Sequence, residues 1–415
     1  MVADDQDERP SPKITYVIGG GAVKAMAFQM GVAQGLQEHG FVFAHGLKRD
    51  AEALASEFES GYLINSYIGS SAGAGMAAIL ANGLNHNDIY GMMIEADGIL
   101  PRIGYGDFAK AFAKRWAGIG LKKILQLSSP LDAMNALLRY KFKGFPAPIR
   151  LDFVEEYFKK YILKSNEFCD FIPEIFITAT QLNHTRKVVF GPLDNMRGDN
   201  TYDPYCAYYN DVDVSSALAA SMSLPGLFAP YPIVSKSTGR TFHYYDGALK
   251  DTLSMHISKD IKSDFCIVSN IHIPYVYNAD YGDLGERNFT HHTSQAIAHL
   301  IEQKVSQYRR GQLREKEIMD LAEDLLTNSK ESKTQEFLET LRSLMNFRNM
   351  EVLYVAPSED EFEFLFSPHF SFNSDRLKLG IEVGHRSVLK AIEDNPEFLA
   401  KLHNWNSKKQ KKEVA

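Results

Sequence analysis

One stretch of ten residues, Tyr67–Met76, constrains the fold more than any other part of the chain. It reads YIGSSAGAGM and contains the pattern G-x-S-x-G over Gly69–Gly73, with Ser71 at its centre. The apolar run Leu63–Ile68 precedes it and the helix-compatible run Ala74–Ala81 follows. This order predicts a nucleophile elbow, in which a strand ends in a strained turn and the serine stands where a helix begins. Glycine on both sides suits the turn, because a Cβ there would meet the facing backbone.

A glycine loop lies about fifty residues upstream of the elbow. The β-rich segment Lys13–Ile18 is followed by Gly19-Gly20-Gly21-Ala22-Val23-Lys24, and apolar residues then recur at helical spacing as far as Gly40. Such a loop can present a row of backbone amides to an anion, with a lysine adding positive charge.

Three interpretations of this glycine loop compete with a simple strand-to-helix turn. A Walker loop would end in Gly-Lys-Ser/Thr, which is absent. A dinucleotide fingerprint would have a third glycine where Lys24 stands. An oxyanion loop needs only clustered amides near a nucleophile, and the elbow supplies the nucleophile. The sequence therefore favours an oxyanion loop.

Asp246 is the first candidate for the base that Ser71 needs. It follows the apolar strand Phe242–Tyr245 and precedes Gly247-Ala248, so its carboxylate can lie at the same sheet edge as the elbow. Asp-Gly is also an ordinary turn. The alternative is a Ser-His-Asp triad, which would recruit one of the histidines that follow in the chain: His256, His272, His291 or His292.

Composition excludes several other classes of protein. The net charge of −7 over 415 residues gives no reason to expect nucleic acid as a partner. Three widely spaced cysteines without C-x-x-C predict neither a disulfide framework nor a zinc site. Met1–Pro12 has no signal-peptide pattern, and no apolar run approaches the roughly 20 residues that span a bilayer. We expect a cytoplasmic protein that is peripherally membrane-associated, and export without an amino-terminal signal stays open.

The region from Arg102 to Arg150, called here the basic stretch, differs in charge from the rest of the chain. It holds ten basic and two acidic residues, about +8, which leaves −15 for the remainder. Phe108, Phe112 and Trp116 interleave with the lysines and arginines. A basic, amphipathic segment of this kind can lie on an anionic membrane, and residues 102–150 are the predicted contact. The alternative is a cap whose lysines are simply solvated.

Strands alternate with helices along the chain, which predicts an α/β domain with a mostly parallel sheet. The predicted organisation is a disordered tail (1–12), one domain (13–403) and a basic tail (404–415). Within the domain, residues 86–150 form a basic helical cap and residues 290–346 a helical region. The last lysines, Lys408–Lys412, are expected to be disordered.

Four blocks together resemble one known family. In chain order they are the glycine loop, the elbow, the run AASMSLPGLFAP at 219–230, and Asp246-Gly247-Ala248. Their order and spacing are similar to those of the patatin-like phospholipases, over roughly Lys13–Ile273. The resemblance implies a three-layer α/β/α sandwich that hydrolyses the acyl esters of lipids. Because the implied mechanism uses a serine acyl-enzyme, it needs no metal and no cofactor.

The resemblance also assigns roles. Ser71 would be the nucleophile and Asp246 the base, flanked by Gly69 and Gly73 at the elbow. The implied oxyanion hole comprises Gly19, Gly20, Gly21, Ala22, Val23 and Lys24. The expected activity is that of a phospholipase A or lysophospholipase on a lipid substrate. A triacylglycerol lipase, a general esterase and a catalytically impaired lipid-binding protein of the same fold are the alternatives.

The glycine loop departs from the family pattern at two positions. Members of the family usually have glycine where this chain has Ala22 and Ala25. Alanine fits without strain only if φ is negative there. A positive φ would distort the oxyanion loop, and losing one oxyanion donor costs roughly 3 kcal/mol of transition-state stabilisation.

Overall fold

A computed structural model describes residues 11–94, 100–117, 149–193, 206–326, 332–345 and 349–413. Most of the tail predicted at 1–12 lies outside the described residues, as do residues 118–148 of the basic stretch. Statements below concern the described residues.

Ten strands in the described part of the chain form one sheet, with the order β10-β9-β1-β3-β4-β5-β6 along its main path. In addition β2 pairs with β3, and β8 pairs with β4 and β7. The strands are β1 (Ile14–Ile18), β2 (Phe41–Phe43), β3 (Tyr62–Ser70), β4 (Glu174–Gln181), β5 (Lys187–Phe190), β6 (Cys206–Tyr209), β7 (Tyr231–Val234), β8 (Thr241–Asp246), β9 (Phe265–Ser269) and β10 (Glu351–Val355).

Most strand pairs are parallel, as predicted. The central strand β1 runs parallel to both β3 and β9, and β3 runs parallel to β4. The antiparallel pairs are β4 with β5, β4 with β8, and β7 with β8. Parallel neighbours bring their carboxyl ends to one edge of the sheet, and that edge carries the elbow after β3.

Helices connect these strands. They are α1 (Ala22–Glu38), α2 (Ala51–Phe58), α3 (Ala72–Ala81), α4 (His86–Met93), α5 (Tyr105–Ala117), α6 (Asp152–Tyr157), α7 (Val214–Ser221), α8 (His256–Asp260), α9 (Phe289–Leu326), α10 (Ser332–Met345), α11 (Phe362–Leu365), α12 (Ser374–Asp394) and α13 (Pro396–Glu413).

The core lies on both faces of the sheet. Along β1, Ile14, Tyr16 and Ile18 join one apolar cluster with α1, α3 and α12, whereas Val17 joins a second cluster with α8 and α9. Side chains that alternate between two buried faces require a helical layer on each. The three-layer α/β/α sandwich is therefore confirmed.

Helices α1 and α12 touch through glycines. A Cβ on Gly31 would lie 1.8 Å from the Ile381 carbonyl oxygen, and one on Gly384 would lie 2.0 Å from the Phe28 carbonyl oxygen. Backbones this close admit no side chain between them. Helix α12 thus packs directly against α1, whose first residues belong to the glycine loop.

Three of the strands have weak signals in the sequence. Strand β2 has only three residues, β7 contains Pro232, and β6 lies in a tyrosine-rich run. Short strands and proline-containing strands carry weak local signals. At the other end of the chain, Lys408–Lys412 lie in α13 and are helical, where disorder was expected.

Candidate active site

The predicted order of strand, turn and helix is present at the elbow. Ser71 follows β3 with φ 54° and ψ −127°, immediately before α3, and its side chain is partly exposed. A Cβ on Gly69 would lie 2.4 Å from the Cα of Ala74, and one on Gly73 would lie 2.0 Å from the Ile18 carbonyl oxygen. Both glycines are therefore required by close backbone approach.

Asp246 ends β8 and lies opposite Ala179 of β4. Its carboxylate is buried, accepts a 2.8 Å hydrogen bond from the Ala248 amide and faces the Ser71 hydroxyl. Burial raises the pKa of Asp246 to about 6, although the Ser71 hydroxyl and the Ala248 amide act in the lowering direction. A carboxylate with this pKa can accept a proton near neutral pH.

Ser221 and Ser223 hold the backbone at both of these residues. The Ser221 hydroxyl accepts a 2.9 Å hydrogen bond from the Ser71 amide. The Ser223 carbonyl accepts a 3.0 Å bond from the Asp246 amide. Both serines lie in the run that resembles the patatin-like family, but the sequence alone predicted no role for either of them. A small-residue helix that ends in Leu-Pro-Gly was the only local signal.

Four residues of the glycine loop reach the site: Gly20, Gly21, Ala22 and Val23 line the same cavity as Ser71. A Cβ on Gly20 would lie 2.8 Å from the Ser71 Cβ. Within the described ranges, the amides of Gly20 and Gly21 have no hydrogen-bond acceptor. Unpaired amides beside a serine can stabilise a developing negative charge.

Of the two alanines that stand where the family usually has glycine, only one has the positive φ that strains an alanine. Ala22 has φ 56°, a left-handed conformation that is strained for alanine, whereas Ala25 lies inside α1 and is not among the residues with positive φ. Gly21, with φ 138°, has the freedom that this backbone requires.

Gly19 and Lys24, at the two ends of the predicted oxyanion loop, make structural contacts. The Gly19 amide donates to the Ser269 carbonyl at 2.9 Å, and the Lys24 amide donates to the His369 carbonyl at 3.1 Å. The buried Lys24 ammonium donates to the Leu365 carbonyl at 2.8 Å. Burial lowers the pKa of Lys24 to about 7. These bonds anchor the loop to the carboxyl-terminal part of the chain.

Among the histidines considered for a triad, His272 is the one that lines the cavity. Its ring hydrogen bonds to the Gly20 backbone and stacks on His369 at 5.5 Å. Burial holds the pKa of His272 well below its usual range. His256 instead contacts Lys187 and Cys206, and His291 and His292 bind Asn288 and Leu284.

A cavity of about 830 Å³, here called the serine cavity, lies over Ser71 and Asp246. Apolar side chains form most of its wall; they include Met92, Phe108, Val154, Phe158, Met222 and Phe370. A cavity of this size and polarity can hold the hydrocarbon part of a substrate.

The fold and the site together define an α/β protein with a serine elbow, a buried carboxylate and an apolar cavity. Comparison with protein-family models matches residues 16–257 to "Patatin-like phospholipase". The chain belongs to this family, whose members hydrolyse lipid acyl esters. A search of curated proteins found no match. None of the described helices combines the length and apolar character needed to cross a membrane.

Proposed function

We propose that the protein is a lipid acyl hydrolase in which Ser71 is the nucleophile and Asp246 the general base. The observation that carries this proposal is the buried Asp246 carboxylate facing the Ser71 hydroxyl at a strained elbow. Asp246 combines burial, a raised pKa and a serine neighbour, which is the combination a base requires.

The chemistry follows from these positions. Asp246 takes the Ser71 proton as the serine oxygen attacks the ester carbonyl carbon. The amides of Gly20 and Gly21 stabilise the oxyanion of the tetrahedral intermediate. Asp246 then returns the proton to the leaving alcohol, which departs as a lysolipid or a glycerol derivative. Water, deprotonated by Asp246, attacks the acyl-enzyme, and the fatty acid leaves as Ser71 recovers its proton.

A direct Ser71–Asp246 pair favours a dyad over a triad. His272 shares the cavity, but its ring bonds to the Gly20 backbone and stacks on His369. A neutral histidine in that position supports the glycine loop and takes no part in proton transfer from Ser71.

The wall of the serine cavity supports a long acyl chain as the group transferred. Because apolar side chains dominate the wall, a fatty acyl chain gains free energy on leaving water for this cavity. We therefore propose activity of the phospholipase A or lysophospholipase type on a lipid substrate.

Peripheral contact with an anionic membrane through residues 102–150 belongs to the same proposal. In the described part of this stretch, α5 exposes Tyr105 and Phe112 together with Lys110 and Lys114. Aromatic and cationic side chains on one short helix suit the interface of an anionic bilayer. Under this proposal a cytoplasmic protein would reach its substrate at the membrane surface.

The test is product analysis combined with labelling of the serine. Purified protein is incubated with a mixed lipid extract, and released fatty acids are measured by mass spectrometry for wild type and Ser71→Ala. We expect release by wild type only, and labelling of Ser71 by a fluorophosphonate. Fatty-acid release by folded Ser71→Ala, or failure of folded wild type to take up the label, would refute the assignment.

A further inference from the structure

A second cavity adjoins the serine cavity and differs from it in charge. It has a volume of about 790 Å³ and shares Thr252, Ile301 and Lys304 with the serine cavity. Lys187, Lys250 and Lys304 line it together with one acid, Asp251. We call it the lysine cavity. Shared wall residues make the two cavities neighbours.

Two of the three lysines carry charge that no acid balances. Lys187 is buried and its ammonium pairs with the Asp251 carboxylate at 2.9 Å. Lys304 donates to the Lys250 carbonyl at 3.4 Å, and neither Lys250 nor Lys304 has an ion-pair partner within the described ranges. Two exposed lysines without an acidic partner among the described residues therefore line this cavity, and Lys304 also lines the serine cavity. Their positive charge attracts an anion.

Helix α9 builds both walls in order along its length. Ser294, Ile297 and Leu300 line the serine cavity, Ile301 and Lys304 line both, and Val305 and Tyr308 line the lysine cavity. This helix lies beyond residues 16–257, which the family model covers. One helix therefore borders both cavities, and Lys304 is the cation that it contributes to each.

From this juxtaposition we propose that the lysine cavity binds the phosphate of an anionic phospholipid headgroup while the acyl chain occupies the serine cavity. Only a few bonds separate an ester carbonyl from the phosphorus in a glycerophospholipid. Lys250 is four residues from Asp246, which limits their Cα separation to about 14 Å. This inference rests on the proposed hydrolase function. It predicts that headgroups with net negative charge bind more tightly than zwitterionic or uncharged ones.

The test uses short-chain lipids below their micelle concentration, so that attraction to a membrane does not contribute. Hydrolysis of dihexanoyl phosphatidylglycerol, dihexanoyl phosphatidylcholine and dihexanoylglycerol is measured for wild type and for Lys250→Gln/Lys304→Gln. Lys316→Gln is the matched control, because Lys316 lies exposed on α9 and lines neither cavity.

We expect KM for phosphatidylglycerol to rise about tenfold in the double variant, equivalent to about 1.4 kcal/mol. We expect kcat and the hydrolysis of dihexanoylglycerol to stay within twofold, and Lys316→Gln to match wild type. An unchanged KM for phosphatidylglycerol, or an equal rise for the uncharged lipid, would overturn the proposal.

A binding measurement separates this inference from the proposed function. Calorimetry with Ser71→Ala protein measures affinity for dihexanoyl phosphatidylglycerol without turnover, alone and combined with the double lysine substitution. Loss of affinity on removing the lysines supports the headgroup site even if wild type hydrolyses no ester. Equal affinity with and without the lysines refutes it. Inorganic phosphate binding as tightly as the lipid would identify free phosphate as the ligand and also refute it.

Discussion

The hydroxyl oxygen of Ser221 lies 2.9 Å from the backbone nitrogen of Ser71 and accepts its hydrogen bond. Ser71 has a positive φ, which is strained for any residue with a side chain. Ser221 is completely buried at the end of α7, so the bond ties the strained turn to a fixed part of the core. The neighbouring Ser223 ties Asp246 through its carbonyl.

Ser221→Ala should lower kcat about tenfold or more and reduce stability by about 1–3 kcal/mol, because the Ser71 amide would lose its acceptor. Ser223→Ala is the matched control: its hydroxyl bonds to the Ala219 carbonyl, and the backbone carbonyl that binds Asp246 is kept. Steady-state kinetics and urea unfolding measure both variants. Equal kcat for the two would contradict the role given to Ser221.

Ala22→Gly should stabilise the protein by up to about 1 kcal/mol, because glycine relieves the left-handed conformation at φ 56°. The entropy of the unfolded chain offsets part of this gain. Ala25→Gly is the comparison, since Ala25 is buried in α1 and glycine there should destabilise by about 1 kcal/mol. Thermal unfolding of both variants checks the prediction, and a destabilised Ala22→Gly would count against it.

The rate should depend on the ionisation of Asp246. Since burial raises the pKa of Asp246 to about 6, kcat/KM should fall as pH drops through 6 and the base becomes protonated. A profile that stays flat down to pH 5 would exclude Asp246 as the base. Initial rates on a soluble short-chain ester between pH 4.5 and 8 provide the measurement.

The same residue should make the folded state less stable at neutral pH. The folded pKa of about 6 exceeds the ordinary 3.8, so the folded state binds more protons between these values and stability declines as pH rises through that window. Asp246→Asn keeps an acceptor for the Ala248 amide and removes the buried charge. It should therefore be inactive yet more stable than wild type at pH 7, on the order of 2 kcal/mol. Urea unfolding at pH 4 and pH 7 tests this, and a less stable variant at pH 7 would disagree.

The mouth of the serine cavity has exposed apolar side chains that suit a lipid surface. Leu300 lines the cavity and is 62 % exposed, whereas Leu325, on the same helix, is 74 % exposed and lines neither cavity. Leu300→Ser should reduce hydrolysis of vesicle lipid severalfold and leave a monomeric ester unaffected. Leu325→Ser should change neither rate. If both substitutions change the rate on vesicle lipid equally, the membrane contact is not centred on the mouth of the serine cavity.

Binding to anionic vesicles should weaken with salt if the basic stretch contacts them. Lys110→Gln/Lys114→Gln removes two exposed cations of α5 and should weaken binding about 30-fold at low salt, since each contributes on the order of 1 kcal/mol. Lys48→Gln/Arg49→Gln removes two exposed cations outside the stretch and serves as control. Vesicle sedimentation in increasing NaCl measures both. Equal binding to neutral and anionic vesicles would argue against the contact.

Local patterns were enough to predict the sheet class and the two strands that carry the proposed catalytic pair. The strand predicted at Leu63–Ile68 is β3, and the one predicted at Phe242–Tyr245 is β8, which ends at Asp246. Both signals consist of a short apolar run followed by glycine, and both are contained in a few consecutive residues.

Contacts between distant residues could not be predicted in this way. Lys24 bonds to the Leu365 carbonyl, 341 residues along the chain, and His272 stacks on His369. No periodicity or spacing relates such residues, because tertiary packing alone brings them together. For the same reason the sequence predicted that Lys24 supplies positive charge to the loop. In the structure, Lys24 instead hydrogen bonds to the carbonyls of Leu365 and His369.

The glycine contact between α1 and α12 has a consequence for synthesis of the chain. The loop that supports Ser71 leads into α1, yet α1 has its closest neighbour in α12, and β1 lies between β3 and β9. A ribosome releases the elbow long before the residues that complete this packing. The nascent chain therefore carries Ser71 before α12 exists, and we expect the glycine loop to take its final position only after α12 packs against α1.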